Sequence, residues 1–334
     1  MKRIINIVLL SAFVTVLSIS CNKDGDLTPP KAISFGKVAT RAALSDIQDN
    51  GFGVWTFINN AEYTTKHLLM NNVYVHYEED AWVYSPEEYW IADTRFSFVA
   101  TYPYDEDGTN FNLDSGEVKL SVSETPSEVD YLMATAEVDT AAEGFDYSAV
   151  PLQFKHMLTN VSLNIWRDGG KHQNDQMRIR KVTLSNICKG GTYSSALKAW
   201  TPTNDKLTLS YENNNVSDND DIGAAVKQND GSLKTGGTPS KPFDEQQPLL
   251  LIPQTIDESN SVSLKIEYEL KRQNAADWES AELETILPSI TWESGRQYTY
   301  NVVLSSVTDI TVYYIQTKVD PWGTPQVGGT VIIK

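Results

Sequence analysis

Residues 262–270 read Val-Ser-Leu-Lys-Ile-Glu-Tyr-Glu-Leu, and this stretch decides the fold class. Apolar and polar residues alternate with a period of two, which places one set of side chains in a core and leaves the other set in water. The same alternation recurs in windows that start at Phe96, Val161, Leu207 and Tyr298. β-Branched and aromatic residues fill these windows, and clusters of Gly, Pro, Asn and Asp separate them. We therefore predict an all-β protein built from antiparallel β-sandwiches.

The chain is long enough for two such sandwiches. It has 334 residues, more than one hydrophobic core usually organises. A stretch of small residues before position 150 precedes a new strand pattern, so we predict a first domain over residues 42–150 and a second over 151–334. Helical signals are weak, and the candidates for a short helical turn are residues 45–50 and 126–135.

The N-terminus predicts export from the cell. Lys2-Arg3 precedes a mostly apolar run over residues 4–17, and small polar residues follow it. This run is shorter than the ~20 residues that a helix needs to cross a bilayer. The order of charge, apolar core and small residues is that of a secretory signal peptide, which we assign to residues 1–20.

The next residue predicts a lipid anchor. Residues 17–21 read Leu-Ser-Ile-Ser-Cys, which resembles the lipobox of bacterial lipoproteins, where the cysteine carries acyl chains such as palmitate. We therefore predict lipidation of Cys21, since more than one acyl chain holds a protein stably on a membrane. Residues 22–26 resemble the signal that sends such lipoproteins to the outer face of the outer membrane. The alternative is an exported protein without lipid.

Charge and cysteine content limit the partners. The formal net charge is −17, and removal of Lys2 and Arg3 with the signal makes the chain more acidic. Such a surface repels phosphate backbones, so we expect no nucleic-acid partner. With Cys21 lipidated, Cys188 is the one cysteine left, so stability must come from core burial without an internal disulfide. We expect Cys188 to be a small buried apolar residue.

No residue pattern predicts catalysis or a cofactor. The four histidines lack metal-ligand spacing, and the glycine pair Gly190-Gly191 leads into no helix, which indicates turn chemistry. Residues 218–221 offer oxygen ligands but lack the calcium-loop pattern, so a solvated loop is favoured. We thus predict no enzyme, no metal site and no cofactor. A surface hydrolase is a minor alternative, because a catalytic carboxylate pair is defined in space and not in sequence.

The eight tryptophans raise a stronger alternative. Flat aromatic rings stack on sugars, so a monomeric glycan-binding surface lipoprotein is the main competing function. Core packing is favoured for the tryptophans in strand-like windows, which are Trp82, Trp90, Trp166 and Trp292. The sequence leaves both interpretations open for Trp55, Trp200 and Trp278.

Several stretches, taken in order, resemble the fimbrillin family of the Bacteroidota, which includes major and minor fimbrial subunits and Mfa-like proteins. The resemblance covers nearly the whole chain after the signal peptide. In the first half it is carried by Met70-Asn71-Asn72, Trp82-Val83-Tyr84-Ser85-Pro86, Tyr89-Trp90 and Phe96-Ser97-Phe98-Val99-Ala100-Thr101-Tyr102-Pro103. In the second half it is carried by Phe154-Lys155-His156-Met157-Leu158, Leu251-Ile252-Pro253-Gln254, Ile290-Thr291-Trp292-Glu293-Ser294-Gly295-Arg296-Gln297-Tyr298-Thr299-Tyr300 and Val319-Asp320-Pro321-Trp322.

The resemblance implies two tandem transthyretin-like β-sandwiches in a fimbrial subunit with a role in adhesion. In polymerising members of the family, a trypsin-like protease removes an N-terminal strand after a basic residue, and a strand from a neighbouring subunit fills the vacated groove. Such donor-strand exchange is physically favoured, because a donor satisfies both the open sheet edge and the apolar groove. Here residues 21–41 are the expected tether and removable strand, with cleavage after Arg41 and Lys37 as the alternative position.

The C-terminal residues offer a donor strand. Residues 324–334 combine a Gly/Pro-rich connector with an apolar segment, Val331, Ile332 and Ile333. This segment is equally compatible with a last internal strand, so a role in the shaft, the anchor or the tip of a fimbria is left open.

The resemblance also implies partners and a modification. The expected partners are other copies or related fimbrial subunits through strand donation, the outer membrane through the lipid anchor, and a ligand on a host or bacterial surface. The tripeptide Asp139-Thr140-Ala141 matches the short pattern around which Bacteroidota attach O-linked glycans, with Thr140 as the acceptor.

Overall fold

The computed structural model describes residues 30–39, 44–217, 219–229, 232–243, 249–305 and 310–318. Nearly every regular element in these ranges is a β-strand, so the all-β prediction is confirmed. The only helix among them, α1 (Leu44–Asn50), lies at the first predicted turn. The second predicted turn is wrong, because residues 132–135 lie in a strand whose sheet is covered on both faces.

The strands of the described residues are numbered in chain order. Those of the first half are β1 (Phe35–Ala39), β2 (Phe52–Asn59), β3 (His67–Glu78), β4 (Ala81–Val83), β5 (Arg95–Tyr102), β6 (Phe111–Asp114), β7 (Glu117–Val122), β8 (Leu132–Asp139), β9 (Val150–Gln153) and β10 (Lys155–His156). Those of the second half are β11 (Thr159–Asp168), β12 (Gln176–Cys188), β13 (Gly191–Ser194), β14 (Ala199–Pro202), β15 (Lys206–Glu212), β16 (Ala224–Lys227), β17 (Leu233–Gly236), β18 (Leu249–Leu251), β19 (Thr255–Ile256), β20 (Ser263–Lys271), β21 (Glu279–Ile286), β22 (Ile290–Thr291), β23 (Arg296–Leu304) and β24 (Ile310–Lys318).

A six-stranded sheet with the order β10-β8-β5-β2-β3-β4 forms the centre of the first half. Both of its faces are buried. On one face, β1, β9 and α1 enclose a core that includes Phe52, Phe96 and Phe98. On the other face, Trp55 and Val99 belong to a second core beneath another sheet. Because β5 contributes side chains to both cores, its buried residues do not follow a strict period of two.

This covering sheet has the order β14-β13-β7-β6. The hairpin β6–β7 comes from the first half of the chain and the hairpin β13–β14 from the second. Their antiparallel register places Gly191 opposite Val122 and Ser194 opposite Lys119. The two halves of the chain therefore share one sheet and the core beneath it, to which Met157 also contributes.

The second half is a sandwich of two sheets around the largest core. One sheet runs β17-β16-β11-β23-β24 with β18 attached to β11, and the other runs β15-β12-β20-β21. Alternate residues of β20, such as Leu264 and Ile266, are fully buried in this core beside Tyr298 and Tyr300 of β23. The sheets are mostly antiparallel, as predicted, but β11 pairs in parallel with β23 and β16, and β1 pairs in parallel with β9.

The predicted boundary between residues 150 and 151 falls among strands that contact the first half. β9 pairs with β1, and β10 pairs with β8. Leu152 and Phe154 are fully buried in the core of the first half. The division into domains 42–150 and 151–334 stays a prediction.

Candidate functional site

The N-terminal segment occupies a groove in the first half of the molecule. We define the N-terminal groove as the space that residues 31–39 fill, between residues 88–90 on one side and β9 on the other. The segment then ends before α1, which starts at Leu44. The strand that the sequence resemblance marks as removable therefore lies inside the fold, against the core of the first half.

Backbone hydrogen bonds join the first part of the segment to one side of the groove and the later part to the other side. Residues 31–33 pair with one side of the groove, where the Ile33 N–H donates to Glu88 O (2.8 Å) and the Trp90 N–H donates to Lys31 O (3.1 Å). The segment then pairs with the other side, where the Val150 N–H donates to Ser34 O (2.8 Å). A strand that leaves would expose donors and acceptors along both sides, and unpaired buried groups of this kind are costly.

Three apolar side chains anchor the segment in the core. Ile33, Phe35 and Val38 are 1%, 5% and 8% exposed. The ring of Phe35 meets the rings of Phe52 and Phe98 edge-on, at centroid distances of 6.1 and 6.2 Å. Burying each such side chain contributes roughly 1.5–3 kcal/mol, so the three together stabilise the docked strand by about 5–9 kcal/mol.

Tyr84 closes the groove over the segment. Its hydroxyl donates to Ile33 O at 2.8 Å, and its ring lies 5.6 Å from that of Phe35. Burial, reinforced by the nearby carboxylates of Glu88 and Glu87, raises the pKa of Tyr84 to about 12. The phenol therefore stays neutral and donates its hydrogen bond to the segment at ordinary pH.

Comparison with known proteins identifies the family. The family model described as fimbrillin-like matches residues 40–322. The chain belongs to the fimbrillin-like family. No curated protein matches it. The resemblance inferred from the sequence motifs is thereby confirmed.

Solved structures similar to this fimbrillin-like chain include proteins from species of Bacteroides. A fimbrial protein from Bacteroides vulgatus is 16% identical, covering 86% of this chain and 99% of that chain with a TM-score of 0.62, and it supports the fold. Candidate cell adhesion proteins from Bacteroides ovatus and Bacteroides uniformis are 17% and 15% identical, each covering 86% of this chain and 96% of that chain, with TM-scores of 0.46 and 0.45.

Most of the predicted processing and assembly residues lie outside the described residues. This holds for the lipidation site Cys21, the cleavage position Arg41 and the donor residues Val331, Ile332 and Ile333. The alternative cleavage position, Lys37, lies within β1. A protease would have to draw β1 out of the groove to cut after Lys37, whereas Arg41 follows the strand in sequence.

The hydroxyl of Thr140 takes part in a local hydrogen-bond network. It donates to Ile91 O at 2.7 Å and accepts from the Thr94 N–H at 2.9 Å, which ties the end of β8 to the turn before β5. A glycan at this oxygen would replace the donated bond. O-glycosylation of Thr140 stays a prediction.

The tryptophans are used for packing in the described residues. Trp55, Trp90, Trp166 and Trp292 are buried, and Trp82, Trp200 and Trp278 are partly buried. The sequence left the role of Trp278 open. In the structure the guanidinium carbon of Arg178 lies over its ring, 4.0 Å from the ring centroid. The packing interpretation of Trp90, Trp166 and Trp292 is therefore confirmed.

Other candidate groups from the sequence are engaged in structural contacts. Cys188 is buried at 3% exposure, as predicted. His156 lies 2.7 Å from Asp130, and His172 lies 2.8 Å from Asp175. No set of three or more potential ligands among the described residues is arranged to hold a metal ion. In the same part of the chain, no helix has the length and hydropathy of a membrane span.

Proposed function

We propose that the protein is a fimbrial subunit, exported to the cell surface as a lipoprotein anchored through Cys21, and assembled by donor-strand exchange. Cleavage after Arg41 releases the N-terminal segment, and a strand from a neighbouring subunit enters the N-terminal groove. The polymer acts in adhesion. The observation that carries this proposal is the segment itself, which fills a core groove and precedes residues 40–43, the covalent link to α1.

The energetics of the segment support release after cleavage. Its three buried side chains contribute about 5–9 kcal/mol. Ordering a backbone residue costs about 1–2 kcal/mol, so ordering the segment over residues 31–39 costs at least as much as this burial contributes. While the chain is intact, the covalent link keeps the strand at high effective concentration beside the groove. Cleavage removes this advantage, and a longer or better-fitting donor then competes effectively.

A reversible disulfide tests the exchange. Ala39 and Gln153 are partners in the parallel register of β1 and β9, so Ala39→Cys with Gln153→Cys should lock the strand in the groove. The locked full-length chain, cut after Arg41 by a trypsin-like protease, should give no heat-sensitive ladder on electrophoresis without boiling. Reductant should restore the ladder. The single variant Ala39→Cys is the matched control and should assemble without reductant.

The possible results separate cleanly. Strand exchange is supported if the double variant forms ladders only after reductant is added, while the single variant forms them without reductant. Ladders that form equally well from the locked and cleaved chain would refute it, because the groove is then filled by its own strand. A native polypeptide that starts at Cys21 and forms no ladder at all would favour a monomeric surface protein over a fimbrial subunit.

A further inference from the structure

The N-terminal groove imposes a spacing rule on its occupant. The register of β1 against β9 shifts between Phe35 and Val38, so the buried positions are 33, 35 and 38, spaced by two and then by three. A regular strand would bury every second residue. An occupant that runs in the direction of β1 must therefore offer residues that can be buried at these three positions, of which 33 and 35 are the most deeply buried.

The groove also requires a residue without a side chain at position 36. A Cβ added to Gly36 would lie 2.9 Å from the Cβ of Ala149 and 3.4 Å from its carbonyl oxygen. The neighbouring Cβ belongs to a short, rigid side chain that precedes β9, so it cannot rotate away. Any larger residue at this place must push the occupant away from β9 and weaken the backbone pairing.

We propose that residues 327–331 of a second copy of this chain occupy the groove in one register, running in the direction of β1. This inference rests on the proposed function. Residues 327–331 read Val-Gly-Gly-Thr-Val, and residues 35–39 read Phe-Gly-Lys-Val-Ala. Val327 takes the place of Phe35, Gly328 that of Gly36, and Thr330 that of Val38.

The other registers that place a Val, Ile or Trp of residues 320–334 in the pocket of Phe35 violate the requirements. Placing Val331, Ile332 or Ile333 in the pocket of Phe35 brings Ile332, Ile333 or Lys334 against Ala149. Placing Trp322 there satisfies the glycine requirement through Gly323, but it drives Asp320 into the apolar pocket of Ile33. The register through Val327 and Gly328 avoids both conflicts.

The donor does not match β1 at the first of the three buried positions. Position 33 would be filled by Pro325, which has no N–H to donate to Glu88 O as Ile33 does. The contacts of the donor therefore concentrate on β9. The apolar residues after Val331 extend beyond the C-terminal end of the segment that β1 occupies.

A disulfide between two copies tests the register. One full-length chain carries Val331→Cys and another carries Gln153→Cys, because Val331 would take the place of Ala39, the partner of Gln153. The two chains are coexpressed, processed and boiled without reductant. A covalent dimer that reductant cleaves is expected. Val327→Cys with Gln153→Cys is the matched control and should give none, because position 35 pairs with Val150 instead.

A second pair of variants tests the glycine requirement. Gly328→Val should reduce the polymer formed at a given concentration by about tenfold or more, as overpacking of a tight contact does. Gly236→Val, which lies in β17 and outside both the groove and the donor, should assemble like the unmodified chain, because a Cβ added there meets no atom within 4 Å.

Three outcomes are distinguishable. A covalent dimer between the Val331→Cys and Gln153→Cys chains, with loss of assembly only in Gly328→Val, supports the register. Normal ladders from Gly328→Val, or a dimer from the control pair alone, would overturn it while leaving strand exchange intact. Absence of ladders from the unmodified processed chain would remove the proposed function and this inference with it.

Discussion

Replacing Phe35 with Ala measures how much β1 stabilises the unprocessed subunit. The ring is 5% exposed and packs against Tyr84, Phe52 and Phe98. Truncating a buried phenylalanine costs about 3–5 kcal/mol of the free energy of unfolding. With a denaturant slope of about 3 kcal/mol per molar urea for a large domain, the unfolding midpoint should fall by about 1–2 M.

Equilibrium urea unfolding of the full-length chain, followed by tryptophan fluorescence, is the assay. Leu197→Ala is the control, because Leu197 is 77% exposed and its truncation should change the free energy by less than about 0.5 kcal/mol. A midpoint that moves no further in Phe35→Ala than in this control would refute the docked position of β1.

In the assembled polymer, by contrast, Phe35→Ala should have no effect on stability. The proposed cleavage after Arg41 would remove residue 35 from the subunit, so polymers of the variant should resist heat as well as unmodified polymers do. Polymers that dissociate at lower temperature in the variant would show that residue 35 stays in the assembled subunit, and would exclude cleavage after Arg41.

Two further predictions concern a titration and a close contact. The pKa of Tyr84 is raised from 10.0 to about 12, so its neutral form stabilises the fold fully below pH 10 and this contribution is lost between pH 10 and 12. Urea midpoints across this window should therefore fall less steeply for Tyr84→Phe than for the unmodified chain, and equal slopes would contradict the assignment. Gly190→Ala should lower the thermal midpoint by several degrees, because a Cβ there lies 2.4 Å from Val122 O. Gly236→Ala, with no atom within 4 Å of its added Cβ, should be nearly neutral, and similar losses in both would argue against this contact.

Local patterns predicted the strands well. The alternation in residues 262–270 corresponds to β20, where Leu264, Ile266, Tyr268 and Leu270 are buried and the intervening residues are not. This pattern is readable because one face of the strand meets water. Residues 132–135 lack a period of two for the opposite reason, since a strand buried on both faces is apolar on both.

Contacts between distant segments were not predictable from the sequence. The sequence pattern of Gly190-Gly191 indicates a turn, but in the structure Gly190 lies against Val122 O, where a side chain has no room, and Gly191 begins β13. The parallel pairing of β11 with β23 could not be predicted from the sequence either, because pairing partners more than a hundred residues apart leave no local sequence signal.

In the candidate site, too, the local strand was predictable from the sequence and the contacts between distant residues were not. The family resemblance predicts a strand before Arg41, and the structure describes one, β1, in the N-terminal groove. Its removal stays a prediction. Sequence reasoning missed Tyr84 as the residue that closes the groove, and Gly36 as the residue that fits it. Both roles depend on neighbours far along the chain, Ile33 for Tyr84 and Ala149 for Gly36.

The sheet shared by β7 and β13 has a mechanical consequence for a filament. Tension along a chain of subunits would enter through the groove in the first half and leave through the C-terminal segment of the second. Within the described residues, the paired hairpins and the core beneath them fasten one half to the other, which opposes swivelling between the halves. Each subunit of such a filament should thus act as one stiff unit, with bending under flow confined to the joints between subunits.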